Sequence, residues 1–316
     1  MEKLIDRLMC ECTYRSIYVY MNENTYLIYA NDVKVLKLLN QYLNPFMQNG
    51  KLTGKIFSIY AICSDKLYSY VESGKLDKQS AICIREETQN YTVKFNSEEN
   101  LSLHITKTNN INLGFIQDIY CDVREKNILC QKSTILFHGA AISYKGVGTM
   151  IIGNKGSGKS FLSDYAIYIR KAYLVAADQT IVMKKCNGFM MNGNITSYRI
   201  MPYDNLYITD VQRKELSDHV LKVNNDSRRL TSDGKINLSP MEAERMLHVK
   251  ITQNVVLHNI IVLCNEENVE PVHLLQRYIL NGNYTREDLE TLLRSVKIYY
   301  AKEKEGIMLI KKIMQE

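Results

Sequence analysis

Residues 153–160 read Gly153-Asn154-Lys155-Gly156-Ser157-Gly158-Lys159-Ser160, a full match to GxxxxGK[ST], and the reading of this octapeptide decides the fold class. Glycines let a loop wrap with backbone angles other residues avoid, so that consecutive N–H groups converge on phosphate oxygens. A helix opening at Ser160 adds free N–H groups and the positive end of its dipole. The pattern assigns Lys159 to the β- and γ-phosphates and the Ser160 hydroxyl to Mg²⁺. With average residue usage, a chance match in a chain of this length is on the order of one in a hundred. An apolar strand before the loop and a helix after it are the required context. The octapeptide is therefore read as a nucleoside triphosphate site, with Phe161 continuing it.

Working outward, Ile135–Ser143 and Gly148–Ile152 read as strands joined by a tight turn at Tyr144-Lys145-Gly146, and 160–171 reads as a helix. Tyr173–Ala177 is predicted as a strand ending at Asp178, followed by a strand at Thr180–Lys185 and a turn at Asn187-Gly188 into Phe189–Met191. Helices are expected near 240–247, 272–280 and 285–299, and strands at 259–263 and 307–311. A hairpin before the loop is not the parallel βαβ arrangement of GTPases or ABC-type ATPases. Neither an NKxD nor an LSGGQ-like signature occurs; Asn265-Glu266-Glu267-Asn268 is not one.

Upstream the texture changes near residue 128. The first part predicts a hairpin around Asn22-Glu23-Asn24, a helix over 33–43 stopping before Pro45, strands at 56–63, 80–85, 91–95 and 101–105 separated by polar turns, and a short helix or connector over 116–127. Two domains follow: a small α+β domain over 1–127, with a substrate-docking role, and a phosphate-loop domain over 128–316.

The chain has 316 residues, 46% hydrophobic and 23% charged, with 15 Gly, 4 Pro and a net charge of +6. These values exclude disordered and fibrous classes, and the mild charge gives no argument for nucleic acid. No apolar run approaches the roughly 18–20 residues of a membrane span. Glu2, Lys3, Asp6 and Arg7 interrupt any secretory signal, so a cytoplasmic location with no membrane partner is expected. The eight cysteines show no CxxC spacing, which speaks for reduced structural thiols; Cys186 and Cys264, in apolar strands, are expected in the core.

The residues Leu136-Phe137-His138-Gly139-Ala140-Ala141-Ile142, Gly146-Val147-Gly148, Gly153 to Ser160 and Leu174-Val175-Ala176-Ala177-Asp178 together resemble the catalytic core of HPr kinase/phosphorylase. That family pairs an HG strand with a phosphate loop and an acidic VADD strand end. The resemblance covers about 136–183. The N-terminal part looks more like the HPr kinase-related proteins of lasso and other ribosomal peptide clusters. It implies a mixed α/β (α+β) fold like that of phosphoenolpyruvate carboxykinase, and transfer of the ATP γ-phosphate, with Mg²⁺, to a serine hydroxyl of a peptide or small protein. Carried over, Lys159 and the loop amides hold ATP, Ser160 and Asp178 hold the metal, and Asp178 and His138 join Lys159 in catalysis. The chain departs from the acidic pair. If Asp178 is the second acid, Ala177 replaces the first; if it is the first, Gln179 replaces the second.

Arg228, Arg229 and Lys235 are further candidates for transition-state charge neutralisation, against a solvated basic turn. His219, His248, His258 and His273 lack metal-ligand spacing. Three functions remain open: a serine kinase for a peptide or small protein, a nucleotide-binding regulatory module without transfer, and a free-serine kinase. Homo-oligomer formation is also left open.

Overall fold

A computed structural model describes residues 13–21, 23–47, 54–75, 81–85, 89–95, 98–186, 188–193, 198–201, 205–222, 234–264 and 270–315. The fold is mixed α/β with several sheets. The chain divides into two compact units, Met1–Asn127 and Ile128–Glu316.

In the first unit, β1 (Arg15–Met21) and β2 (Asn24–Ala30) form the hairpin, from Arg15 opposite Ala30 to Met21 opposite Asn24. With β3 (Ile56–Cys63), β4 (Ala81–Arg85), β5 (Tyr91–Phe95) and β6 (Glu98–Thr106) they make a sheet of order β1-β2-β3-β6-β5-β4. Helix α1 (Val33–Leu43) buries Val35, Leu39, Tyr42 and Leu43, one helical face, and Asp32 caps it by accepting from the Lys34 amide. A short helix α2 (Asp65–Glu72), capped by Ser64, stands where only a polar turn was expected. Helix α3 (Leu113–Leu129) is longer than the 116–127 reading. On its inner face Asp122 is buried, accepting from Ser102 Oγ and Lys126 Nζ and lying 3.2 Å from His104 Nε2.

The second unit is organised by two long strands, β7 (Thr134–Tyr144) and a later one, β14. Between them come β8 (Val147–Gly153), β9 (Tyr173–Ala176), β10 (Gln179–Lys185), β11 (Gly188–Gly193), β12 (Tyr198–Ile200) and β13 (Ile236–Leu238), and β14 itself is Val255–Leu263. β15 (Ile279–Asn283) and β16 (Lys297–Ala301) follow. β8 lies antiparallel to β7 and parallel to β14. Side chains alternate across the central strands: Ile151 and Ile261 enter one apolar cluster, whereas Met150, Ile152, Ile260 and Val262 enter another. The first cluster packs the helices α4 (Lys159–Asp164), α6 (Pro240–Leu247) and α9 (Glu303–Ile313); the second packs α7 (Pro271–Gln276) and α8 (Arg286–Ser295). Helix α5 (Asp210–Lys222) contributes Leu216 to the first. With both faces covered, the central strands read as continuous apolar runs.

Three expected elements differ. The 272–280 helix stops at Gln276, and 279–283 pairs with β7 as β15. The 285–299 helix ends at Ser295, because Lys297-Ile-Tyr-Tyr-Ala, β-branched and aromatic, pairs in parallel with β14. The expected strand 307–311 lies inside α9, where Ile307, Ile310 and Ile313, spaced by three, face the first cluster. Among the described residues no helix is long and apolar enough to cross a membrane.

Candidate functional site

The loop after β8 closes because of its glycines. A Cβ on Gly153 would lie 2.5 Å from Ser157 Oγ and 2.8 Å from the Leu263 carbonyl oxygen on β14, so a side chain there would force the loop and strand apart. Gly156 and Gly158 have φ of +82° and +90°, the left-handed region that favours glycine. The Ser157 amide donates to the Asn154 carbonyl (3.1 Å), and the Leu162 amide donates to the Gly158 carbonyl (3.0 Å), starting α4. Lys159 Nζ donates to the carbonyls of Gly153 (2.8 Å) and Asn154 (2.9 Å), so the ammonium is folded back across its own loop. Burial pushes the Lys159 pKa down, with the charge of Asp178 opposing. Ser157 Oγ is buried without a hydrogen-bond partner, and Ser160 is exposed.

A second group is assembled at the middle of β7. The first half of β7 pairs with β10, His138 opposite Gln179, and its second half pairs with β9, Ala141 opposite Ala176. Ala177 and Asp178 form the bend where the chain passes from one half to the other. The Gly139 amide donates to the Asp178 carbonyl (2.9 Å), and Thr180 Oγ1 donates to the Gly139 carbonyl (2.8 Å). A Cβ at Gly139 would come within 2.9 Å of the Ile151 carbonyl oxygen. The missing side chain at Gly139 thus makes room for β8, and the bend, held by the Gly139 backbone, brings Asp178 Oδ1 to 3.3 Å from His138 Nε2. The two side chains are 35% and 37% exposed, which leaves them reachable by a ligand.

Loop and pair face the same cleft, of ≈ 510 Å³. Of the sequence-predicted residues, Lys155, Gly156, Ser157, Gly158, Lys159, Ser160, Phe161, His138, Asp178 and Lys235 line it. Gly153 and Asn154 do not; their carbonyls are engaged by Lys159. Arg228, Arg229 and His219 lie where no side chain is described, and the turn position Asn187 is likewise outside the described residues. Cys186 is exposed, not in the core, because it falls just past the end of β10; Cys264 is half-buried.

The cleft also holds residues that sequence reasoning missed: Asp164, Tyr198, Arg199, Asn205 and Tyr207. Asp164 lies one helical turn beyond Ser160. Its Oδ1 accepts from the Tyr198 hydroxyl (2.7 Å) and its Oδ2 from Asn205 Nδ2 (2.8 Å). Burial pushes its pKa up to about 6, against lowering by those two hydrogen bonds. Burial raises the Tyr198 hydroxyl well above its ordinary value, and the charge of Asp164 adds to the effect. The signal available in the sequence was spacing alone, an acid at i+4 from Ser160 on one helix face. Past Asp164 the helix widens into a π turn, Tyr165–Ile169, and the Tyr168 hydroxyl lies 3.5 Å from that of Tyr198. Among the described residues no group of three His, Cys, Asp or Glu side chains is placed to hold a metal ion.

No family model and no curated protein matches the chain. Among solved structures, the HPr(Ser) kinase/phosphatase from Coxiella burnetii is similar over 43% of this chain and 71% of that chain, with 18% identity and a TM-score of 0.27. At that score the likeness defines neither activity nor site, and the functional reading rests on the residues themselves.

Proposed function

We propose that this protein is an ATP- and Mg²⁺-dependent kinase that transfers the γ-phosphate to a serine hydroxyl of a peptide or small protein, a ribosomal peptide precursor being the class implied by the resemblance. The observation that carries the reading is the sharing of one cleft by the glycine-rich loop 153–160 and the His138–Asp178 pair.

The chain fits the nucleotide. Ser157 Oγ is an orphaned donor in the loop, and Lys159, which donates to two loop carbonyls, can exchange these for phosphate oxygens. ATP supplies the phosphoryl group; the Ser160 hydroxyl and Asp178 would hold Mg²⁺, which would offset the charge on the phosphates. Lys159 and the loop amides orient the triphosphate and neutralise charge that builds on the leaving group. Asp178 takes the proton from the acceptor serine as its oxygen bonds to phosphorus, and the bond from phosphorus to the ADP oxygen breaks. His138, 3.3 Å from Asp178, holds that carboxylate toward the cleft. The unit Met1–Asn127 is assigned to acceptor docking, and the reaction to the cytoplasm, where ATP is plentiful.

A second reading, a nucleotide-binding module without transfer, is favoured by Ala177 and Gln179 flanking Asp178, which leave one carboxylate at the bend. Incubation with ATP, Mg²⁺ and candidate peptides, followed by intact mass, separates the readings. Phosphate addition that is lost in Lys159→Ala and Asp178→Asn supports the kinase. Nucleotide binding with neither peptides nor free serine modified supports the module.

A further inference from the structure

The wall of the cleft opposite the phosphate loop is formed by 198–201 and 205–207, and it is fastened to the loop's own helix. Phe161, Asp164 and Tyr165 occupy one face of that helix at i, i+3 and i+4. Tyr207 packs its ring on Phe161 (centroids 5.6 Å apart) and on Tyr165 (6.0 Å). Asp164 grips the wall at both ends, at the Tyr198 hydroxyl and the Asn205 amide. Asn205 passes the constraint on: its Oδ1 accepts from the Tyr207 amide (2.9 Å), and its carbonyl accepts from Arg213 (2.9 Å).

Between these grips, β12 carries one charged side chain among the described residues that lines the cleft. In β12, Tyr198 and Ile200 are buried and Arg199 is exposed and lines the cleft. Alternation along a strand makes the two facts one: while Tyr198 is drawn inward, Arg199 must face outward. A guanidinium there is a planar, permanently charged donor fork suited to phosphoryl or carboxylate oxygens.

We infer that Asp164 is a positioning residue, which through Tyr198 fixes the register of β12 and so presents Arg199 to the transferred phosphoryl group. This inference rests on the kinase reading for the role of Arg199, but the link from Asp164 to β12 can be tested without it. Asparagine at 164 can still accept from Asn205 while donating to Tyr198, whose hydroxyl then turns its own proton to Tyr168. Alanine can do neither. A positioning role therefore predicts rescue by asparagine, whereas a role for the charge itself predicts that asparagine is as poor as alanine.

The experiment compares wild type, Asp164→Ala, Asp164→Asn, Tyr198→Phe, Arg199→Ala and the Asp164→Ala/Arg199→Ala double variant in the full chain. Amide hydrogen exchange over 198–201 is expected to quicken at least tenfold in Asp164→Ala and Tyr198→Phe, and by less than threefold in Asp164→Asn. In phosphoryl transfer, Asp164→Ala is expected to lose at least tenfold in kcat with Kd for a non-hydrolysable ATP analogue within twofold of wild type. Asp164→Asn should stay within threefold, and the double variant should be no worse than Arg199→Ala alone. Unchanged exchange in Asp164→Ala and Tyr198→Phe overturns the inference, as does additive loss in the double variant or equal loss in asparagine and alanine. Should wild type transfer phosphate to no acceptor, the kinase reading falls, and the exchange result still decides whether Asp164 holds β12.

Discussion

Replacing Asp164 by asparagine should stabilise the folded protein above pH 6 and do progressively less as pH falls. The carboxyl is pushed from its ordinary 3.8 to about 6 by burial, so the folded state holds its proton more tightly than the unfolded chain. The wild type is therefore relatively most stable below pH 3.8, where both states are protonated, and it loses that advantage as pH rises through 6. At about 1.4 kcal/mol per pKa unit, the full effect is about 3 kcal/mol, of which about 2 kcal/mol falls between pH 4.5 and 7.5. Asparagine has nearly the same shape and no charge, so the difference between variant and wild type isolates this one group. The assay is urea unfolding followed by circular dichroism at several pH values. With a slope of about 2–3 kcal/mol per molar urea, the variant's midpoint should gain about 0.8 M over wild type between pH 4.5 and 7.5. A difference in stability that stays constant across that range would refute the argument that burial sets the state of Asp164.

Three other outcomes follow from the same geometry. Asp122→Asn in the first unit should cost about 3 kcal/mol, since it removes the buried partner of the half-buried Lys126. Burial alone would raise the Asp122 pKa, but the hydrogen bond and charge of His104 and the charge of Lys126 hold it well below the usual carboxylate range. Its contribution is therefore present above pH 4 and lost on acidification, as thermal unfolding in the two regimes will register. Gly153→Ala, whose Cβ would meet Ser157 Oγ at 2.5 Å, should abolish binding of a fluorescent ATP analogue while circular dichroism stays near wild type. Finally, Cys63 is buried and its thiol is pushed up to about 12, by burial first and the charge of Asp32 second, with Lys34 opposing. Maleimide at pH 7.5 should label exposed Cys186 and spare Cys63 until urea is added, as peptide mass mapping would show.

Much of the site could be read from residue order because its parts are local. The loop 153–160 carries its glycines, lysine and serine consecutively, and the β7–β8 hairpin that delivers it depends on a tight turn at Lys145-Gly146, both with positive φ. His138 and Asp178 were named from a resemblance, and the physical reason for their partnership, the bend against Gly139, emerged only in three dimensions. Asp164 was invisible for the opposite reason. Its meaning comes from Tyr198 and Asn205, 34 and 41 residues away, and an acid in a helix is by itself unremarked. The three misassigned elements lie beyond residue 270, where short apolar runs serve either period. Ile307, Ile310 and Ile313 suit a helix face, while 297–301 suits a strand only because β14 offers an open side. Local propensity cannot know of that side.

The parallel pairing of β8 with β14 has a consequence for how the protein is made. One neighbour of the loop-bearing strand, β7, is synthesised just before it, but the other ends at Leu263, 110 residues after Gly153. Parallel partners so far apart cannot close until the later strand has left the ribosome. Gly153 is crowded by the Leu263 carbonyl itself, so the growing chain carries the loop 153–160 without that neighbour for about a third of its elongation. During that interval Met150, Ile151 and Ile152, which are fully buried in the finished protein, lack their permanent cover on one edge. The second unit is thus committed late, and a chaperone acting on it would find its task between the emergence of β8 and that of β14.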